Sequence, residues 1–250
     1  MSLVEIFSPQ KKQPIGIRLG SLIRGYLIDG RDPVTGEYPD DITNQSYNLL
    51  KNLKSSLESC GGSLGNVAQV SLRFNNVAND LPHFNNVWTE FFPNSDDRPT
   101  YKFMADKLDD GKFIESEYYA VLAPDRKSIQ IDGVAHTNPI PMATQIGSYL
   151  FSSRVLPFDS STGRESESAE IQWKNVVENV SAVLDKANME WTDITQGRLF
   201  IQDVNLVSII DKFWNAIFHQ STSPPLHIQP YVGAPTLKIM LEIIASKNRS

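Results

Sequence analysis

Hydrophobic residues recur along the chain with two different spacings, which predict its helices and strands. Apolar residues at steps of three and four positions are typical of amphipathic helices, and alternation with polar residues is typical of half-buried strands. The first spacing predicts helices over Ile42–Leu57, Leu81–Phe92, Ala169–Ala187 and Val207–Phe218. Strand-like patterns, rich in β-branched and aromatic residues, cover Ile17–Ile28, Val67–Phe74, Tyr101–Ala105, Phe113–Leu122, Gln145–Leu156, Ile194–Ile201, His227–Val232 and Thr236–Ala245.

The predicted elements occur twice in the same order. The turn sequence that begins at Asp32 and ends at Gly36 has a counterpart from Asp159 to Gly163, 127 positions later. At the same shift Gln45, Asn48 and Asn52 meet Gln172, Asn175 and Asn179, Trp88 meets Trp214 at 126, and Glu117 meets Glu242 at 125. A repeat of this length is the size of a whole domain. We therefore predict two copies of one domain, over residues 1–128 and 129–250.

Each copy is predicted to run β-β-(β)-α-β-α-β-β. Because strands and helices are mixed without strict alternation, the expected class is α+β. Both helices are expected on one face of the sheet, so the other face must find a partner in the sister copy or in another chain.

Composition and charge narrow the class of protein. The 40% hydrophobic and 21% charged residues are those of an ordinary soluble protein, and the net charge of −6 counts against nucleic acid as a partner. A single cysteine, Cys60, excludes an internal disulfide and favours a reducing, cytoplasmic location. No apolar run reaches the roughly 18 residues of a membrane span, so no membrane partner is expected.

Four motifs, in this order in the chain, resemble the Rid/YjgF family, often described as endoribonuclease L-PSP. They are the Asp-Pro-x-Thr-Gly turn (32–36), the Gln-x-x-Asn-x-x-x-Asn helix (45–52), the Gly-Gly-Ser-Leu-x-x-Val turn (61–67) and the Trp-x-x-Phe-Phe helix end (88–92). The resemblance covers about residues 14–122 and 136–246.

The resemblance implies a chorismate-mutase-like α+β fold in both copies. It also implies a homotrimer whose sheets line a central barrel, with sites in clefts between neighbouring domains. The activity it implies is hydrolysis of 2-imino or 2-enamino acids to 2-oxo acids and ammonia, without metal or cofactor. Some family members cleave RNA, and others have no known chemistry.

In active family members an arginine just before the fifth strand clamps the substrate carboxylate, and a glutamate about 15 residues later positions or activates water. In the first copy Tyr101 takes the place of the arginine, and Glu115 fits the acid. Arg98 lies three positions earlier, on a loop, and would reach a ligand if that loop folds inward. The expected site therefore has Glu115 as catalytic residue and Tyr101 and Arg98 as ligand contacts.

The second copy is expected to hold a degenerate site. Leu226, or His227 if the gap moves by one residue, holds the place of the arginine, and Met240 holds that of the acid. Leucine and methionine neither clamp a carboxylate nor activate water. An arginine elsewhere in the cleft would replace the clamp, and the candidates near the early strands are Arg24, Arg31 and Arg154.

Three functions stay open on these observations. The first is a protein with a cleft for a small acid or imine that deaminates imines through its first domain. The second is a ligand-binding or scaffold protein that has lost this chemistry. The third, which the acidic balance counts against, is an endoribonuclease.

Overall fold

The computed structural model describes residues 3–7, 14–218 and 223–247, and the chain divides into two compact units. The first unit contains residues 1–127 and 138–140, and the second contains residues 128–137 and 141–250. Residues 138–140 thus return to the first unit, which the repeat does not indicate. The domain bounds 1–128 and 129–250 stay a prediction.

The first unit contains two helices and six strands among its described residues. In chain order these are β1 (Leu3–Phe7), β2 (Pro14–Leu19), β3 (Leu22–Asp29), α1 (Ile42–Glu58), β4 (Val67–Phe74), α2 (Val77–Phe91), β5 (Thr100–Ala105) and β6 (Ile114–Val121).

The second unit repeats this order. In addition, it has a short two-stranded antiparallel sheet in the loop before its first helix. Its elements are β7 (Lys127–Ile129), β8 (Ala143–Ile146), β9 (Tyr149–Ser152), β10 (Phe158–Asp159), β11 (Arg164–Glu165), α3 (Ala169–Lys186), β12 (Ile194–Ile201), α4 (Val207–Ile217), β13 (Leu226–Pro230) and β14 (Ile239–Ser246).

The two large sheets have the same strand order. In the first unit it is β1-β2-β3-β6-β4-β5, and in the second, from the opposite end, β7-β8-β9-β14-β12-β13. In each sheet the edge pair, β4 with β5 or β12 with β13, is parallel, and the central pairs β4 with β6 and β12 with β14 are antiparallel. The α+β class and the duplicated domain are therefore confirmed.

The Gln-x-x-Asn-x-x-x-Asn motif ties the first helix of the first unit to its loops. Nε2 of Gln45 donates to the carbonyl oxygens of Pro39 and Gly111, each at 2.7 Å. Nδ2 of Asn52 donates to the carbonyl oxygens of Asp29 at 3.0 Å and Arg31 at 2.8 Å. Buried carbonyl groups need such partners, which explains polar residues on the inner face of a helix.

The second unit makes the same bonds at repeat-related positions. Nε2 of Gln172 donates to the carbonyl oxygens of Ser166 and Thr236, each at 2.6 Å. Nδ2 of Asn179 donates to those of Leu156 and Phe158, each at 2.9 Å. The motif is thus a device for holding the loop between the early strands and the helix.

Alternation along the strands gives each sheet two different faces. In the first unit Val70, Leu72 and Phe74 of β4 lie in one buried cluster with residues of both helices. In the second, Leu199 and Ile201 of β12 lie in such a cluster with residues of α3 and α4. The intervening strand residues form what we call the helix-free face, and it carries most of the charged strand residues.

Among the described residues, no helix combines the length and the apolar character needed to cross a lipid bilayer.

Candidate functional site

Glu115, the acid expected in the first domain, lies on the helix-free face within an ion-pair network. On β6 it stands opposite Asp29 of β3 and Arg73 of β4, and it is 7% exposed. Its Oε1 accepts a hydrogen bond from Arg73, and its Oε2 accepts one from Nζ of Lys112 at 2.9 Å. Both carboxylate oxygens are therefore engaged by cations of the same domain.

The surroundings of Lys112 show how strongly this network holds its charge. Burial opposes the charged form, but hydrogen bonds to Asp109 and Glu115 outweigh burial and raise the pKa of Lys112. The Lys112 ammonium lies 2.8 Å from a carboxylate oxygen of Asp109. The largely buried charges of Lys112 and Glu115 are therefore paired, as buried charges generally are.

Tyr101 does not lie with Glu115. Its ring is 1% exposed and packs on the helix side of the sheet, with its centroid 5.2 Å from that of Trp88 and 5.6 Å from that of Phe84. Its hydroxyl group donates to Asn85, and burial raises the pKa of Tyr101. This placement in the aromatic core does not support the ligand contact predicted for Tyr101.

Arg98 holds backbone together on the loop after α2. Its Nε donates to the carbonyl oxygen of Phe92 at 2.8 Å, Nη2 to that of Pro93 at 3.2 Å, and Nη1 to that of Pro139 at 3.4 Å. These bonds satisfy carbonyl groups just beyond the helix and fix residues 138–140. The structure therefore does not bring Arg98, Tyr101 and Glu115 together.

Of the three positions expected to be degenerate in the second domain, two lie on the edge strand β13 and one lies on the inner strand β14. Leu226 packs against the hydrophobic core. His227 is exposed and stands opposite Arg198 on the neighbouring strand. Met240 is 2% exposed and stands opposite Phe200. These three positions therefore do not provide an arginine that binds a carboxylate together with an acid that activates water.

The helix-free face of the second domain instead gathers five other side chains, which we call the Arg154 cluster. They are Arg154, Arg198, Phe200, Tyr231 and Glu242. The Arg154 guanidinium carbon lies 4.3 Å from the centroid of the Phe200 ring and 5.6 Å from that of the Tyr231 ring. Arg198 and Glu242 stand opposite each other on β12 and β14.

Electrostatic coupling ties the members of the Arg154 cluster together. Burial lowers the pKa of Arg154, Tyr231 and then Glu242 act electrostatically to raise it, and the like charge of Arg198 lowers it further. Glu242 is 3% exposed, whereas both arginines are half-buried. Nε of Arg198 is a buried donor that has no hydrogen-bond partner among the described residues.

The Tyr231 ring is placed by the turn that follows it. Its hydroxyl oxygen accepts a hydrogen bond from the backbone N–H of Ala234 at 3.2 Å. A Cβ atom on Gly233 would lie 1.9 Å from that oxygen, so only glycine leaves room for the ring. The turn therefore fixes one wall beside the Arg154 guanidinium.

These groups are suited to holding a small anion beside a carboxylate. Arginine offers paired N–H donors that match a carboxylate, and aromatic walls strengthen such contacts by excluding water. The sequence indicates Arg154 only as one of three candidate arginines, and it does not indicate the other four residues of the cluster. The repeat pairs Glu242 with Glu117 and alternation places Arg198 and Phe200 on one face, but no spacing connects them with Tyr231.

A comparison with known protein families matches the second domain. The family model described as Endoribonuclease L-PSP matches residues 133–246. A 2-iminobutanoate/2-iminopropanoate deaminase of Salmonella typhimurium is 28% identical over 114 residues, which are 44% of this chain and 89% of that protein. Among solved structures, the YjgF gene product of Escherichia coli is 24% identical, with 49% of this chain and 99% of that chain covered and a TM-score of 0.45.

Two archaeal relatives are more similar in sequence. RutC family proteins of Pyrococcus abyssi and Pyrococcus horikoshii are 33% and 34% identical over 99 residues, which are 36% of this chain and 75% of each relative. With this identity over three quarters of those proteins, the chain belongs to the Rid/YjgF family.

Proposed function

We propose that the protein binds a small monocarboxylic acid at the Arg154 cluster and hydrolyses 2-imino acids there. The observation that carries the proposal is the half-buried Arg154 guanidinium, 4.3 Å from the Phe200 ring and coupled to the charge of Glu242. The relative from Salmonella, named for deamination of 2-iminobutanoate and 2-iminopropanoate, supplies the substrate class. The reaction is thereby assigned to the second domain rather than to Glu115 in the first.

The guanidinium groups of the cluster carry the binding step. Arg154 and Arg198 contribute two positive charges and Glu242 one negative charge, so the cluster as a whole favours one anionic group. A carboxylate can accept paired N–H donors from a guanidinium. The partly exposed Tyr231 ring then borders the carbon chain of the acid and favours apolar substituents.

Glu242 carries the proton transfers. Water adds to the imine carbon while the Glu242 carboxylate accepts a proton from it, and Glu242 returns this proton to the imine nitrogen as the carbon–nitrogen double bond becomes single. The resulting carbinolamine expels ammonia when its hydroxyl proton is removed and the nitrogen is protonated. The sum is one imino acid and one water giving one 2-oxo acid and one ammonia.

The test is ammonia release from 2-iminobutanoate generated in place. Glu242→Gln should reduce kcat by about a hundredfold or more, in the range of a lost general acid or base. Arg154→Lys keeps the charge but loses the paired donors, so it should raise KM more than it lowers kcat. The matched control is Glu117→Gln, which changes the repeat counterpart of Glu242 in the first domain.

Two results would contradict this assignment. One is loss of activity in Glu115→Gln together with normal activity in Glu242→Gln, because the reaction would then belong to the first domain. The other is equal ammonia release by the wild type and Arg154→Lys at all substrate concentrations.

A second candidate is a binding protein without chemistry. The observation that favours it is that both carboxylate oxygens of Glu115 are held by Arg73 and Lys112, while Met240 replaces the acid of the second domain. Absence of ammonia release, together with a higher Tm in 2-oxobutanoate that Arg154→Lys abolishes, would support this function.

We also propose that the chain forms a homotrimer and that its domains span residues 1–128 and 129–250. A sheet with helices on one face leaves its other face for a partner. Sedimentation equilibrium that gives the mass of a single 28.0 kDa chain would exclude the trimer.

A further inference from the structure

Ser153, the residue before Arg154, is fixed by hydrogen bonds to Met142 and His136. Its backbone N–H donates to the carbonyl oxygen of Met142 at 2.8 Å, and its hydroxyl group donates to the same oxygen at 2.9 Å. Its Oγ also lies 2.6 Å from Nε2 of His136. Ser153 is 1% exposed, so water does not compete for these bonds.

The residue on the other side of Arg154 is fixed as well. The backbone N–H of Val155 donates to the carbonyl oxygen of Leu241 at 2.8 Å, and the N–H of Leu241 donates back to Val155 at 3.4 Å. Since Glu242 follows Leu241, this bridge also sets the separation between Arg154 and Glu242. The backbone therefore holds Arg154 from both sides.

The hydrogen-bond directions assign a role to the imidazole. A serine hydroxyl group has one hydrogen, and we assign that hydrogen to the carbonyl oxygen of Met142, which can only accept. The contact with His136 is then made by an Nε2–H group that donates to the serine oxygen. Burial, followed by the charge of Arg154, lowers the pKa of His136 to about 4, so the ring is neutral at pH 7. With Ser153 only 1% exposed, the pair acts in this assignment as a structural anchor.

We infer that His136 is a positioning residue that, through Ser153, holds the Arg154 guanidinium ready for a carboxylate. An arginine side chain that is already held in its binding geometry loses less conformational entropy when a carboxylate binds, so more of the interaction energy contributes to affinity. The inference rests on the proposed function for its effect on the reaction, while its effect on Arg154 is independent of any substrate. The first domain lacks the device, because Tyr26 and Leu27 stand at the positions of Ser153 and Arg154.

The test compares two variants of His136 that differ in one donor. Glutamine places a neutral N–H donor at a similar reach, whereas leucine fills similar space without a donor. His136→Leu should raise KM for 2-iminobutanoate and Kd for 2-oxobutanoate about tenfold, a modest loss for a misplaced clamp, with kcat within threefold. His136→Gln should restore both constants, and His83→Leu, at an exposed position on α2, serves as the surface control.

A second measurement follows Arg154 itself. In a ¹H–¹⁵N spectrum, the Nε–H resonance of Arg154 is identified by its loss in Arg154→Lys. We expect slow solvent exchange of this resonance in the wild type and in His136→Gln, and fast exchange in His136→Leu. Unfolding by urea, measured in parallel, separates this local effect from a general loss of stability.

The two measurements distinguish the possible failures. Unchanged exchange and unchanged Kd in a folded His136→Leu variant would overturn the positioning role. Failure of the wild type to bind 2-oxobutanoate would overturn the proposed function, and the Arg154 resonance would still decide the positioning role.

Discussion

Replacing Asn179 with alanine tests whether the repeated helix motif stabilises its domain as the structure implies. Nδ2 of Asn179 donates to the carbonyl oxygens of Leu156 and Phe158, each at 2.9 Å, and the side chain is 3% exposed. Alanine removes both donors and leaves one buried and one partly buried carbonyl group without them. The affected loop begins directly after Val155, which borders the Arg154 cluster.

The magnitude follows from these two bonds. At about 1 to 1.5 kcal/mol for each hydrogen bond, the variant should lose about 3 kcal/mol of unfolding free energy. With a urea dependence of about 1.5 kcal/mol per molar for a domain of this size, the midpoint should fall by about 2 M. The first domain should keep its own midpoint, because the change touches none of its bonds.

Pulsed hydrogen exchange along a urea series, read by mass spectrometry, reports the two domains separately through their peptides. The matched control is Lys174→Ala on the same helix, where an exposed lysine lies 3.6 Å from Glu178 and such a pair is worth about 0.5 kcal/mol or less. A midpoint for Asn179→Ala that moves no further than that of Lys174→Ala would refute the reasoning.

Three further perturbations probe the two domains. Glu115→Gln breaks two ion pairs of a carboxylate that is 7% exposed, and the first domain should lose about 3 kcal/mol in the same urea assay. Because burial lowers the pKa of His136 to about 4 from 6.5, the unfolded state takes up the proton first. The second domain should therefore lose up to about 3 kcal/mol as pH falls from 6.5 to 4, and no such loss should remain in His136→Gln. Gly233→Ala should displace the Tyr231 ring and raise Kd for 2-oxobutanoate, measured by calorimetry, with an unchanged Tm because the turn is exposed.

Local signals in the sequence were sufficient to predict most elements of the fold. The helix predicted over Ile42–Leu57 begins at Ile42, where the Asp41 side chain accepts a hydrogen bond from the N–H of Asn44. It ends at Glu58, and Gly61 adopts a φ of +81°, a conformation that glycine accommodates without strain. The strands Val67–Phe74 and Ile194–Ile201 have the predicted bounds.

The site could not be predicted in the same way, because it depends on which face a strand residue occupies. Parallel pairing sets Tyr101 beside Val70 of β4, and Val70 lies in the core, so the tyrosine at the family's arginine position turns toward the helices. No local pattern specifies that register. Arg154 and Glu242 are 88 positions apart, and they meet only because Val155 pairs with Leu241.

The different surroundings of Glu117 and of its repeat counterpart Glu242 explain why we place the site in the second domain. In the first, Glu117 pairs with Arg24 at 2.7 Å, and the side chains are 35% and 42% exposed, so water screens the pair and a ligand gains little there. In the second, the counterpart Glu242 is buried and faces Arg154 and Arg198. Burying the Glu242 carboxylate and partly burying two guanidinium groups costs free energy that this pairing offsets incompletely. An incoming carboxylate neutralises the remaining charge, so affinity should rise with the negative charge of the ligand. Equal affinity for 2-oxobutanoate and its amide would contradict this argument.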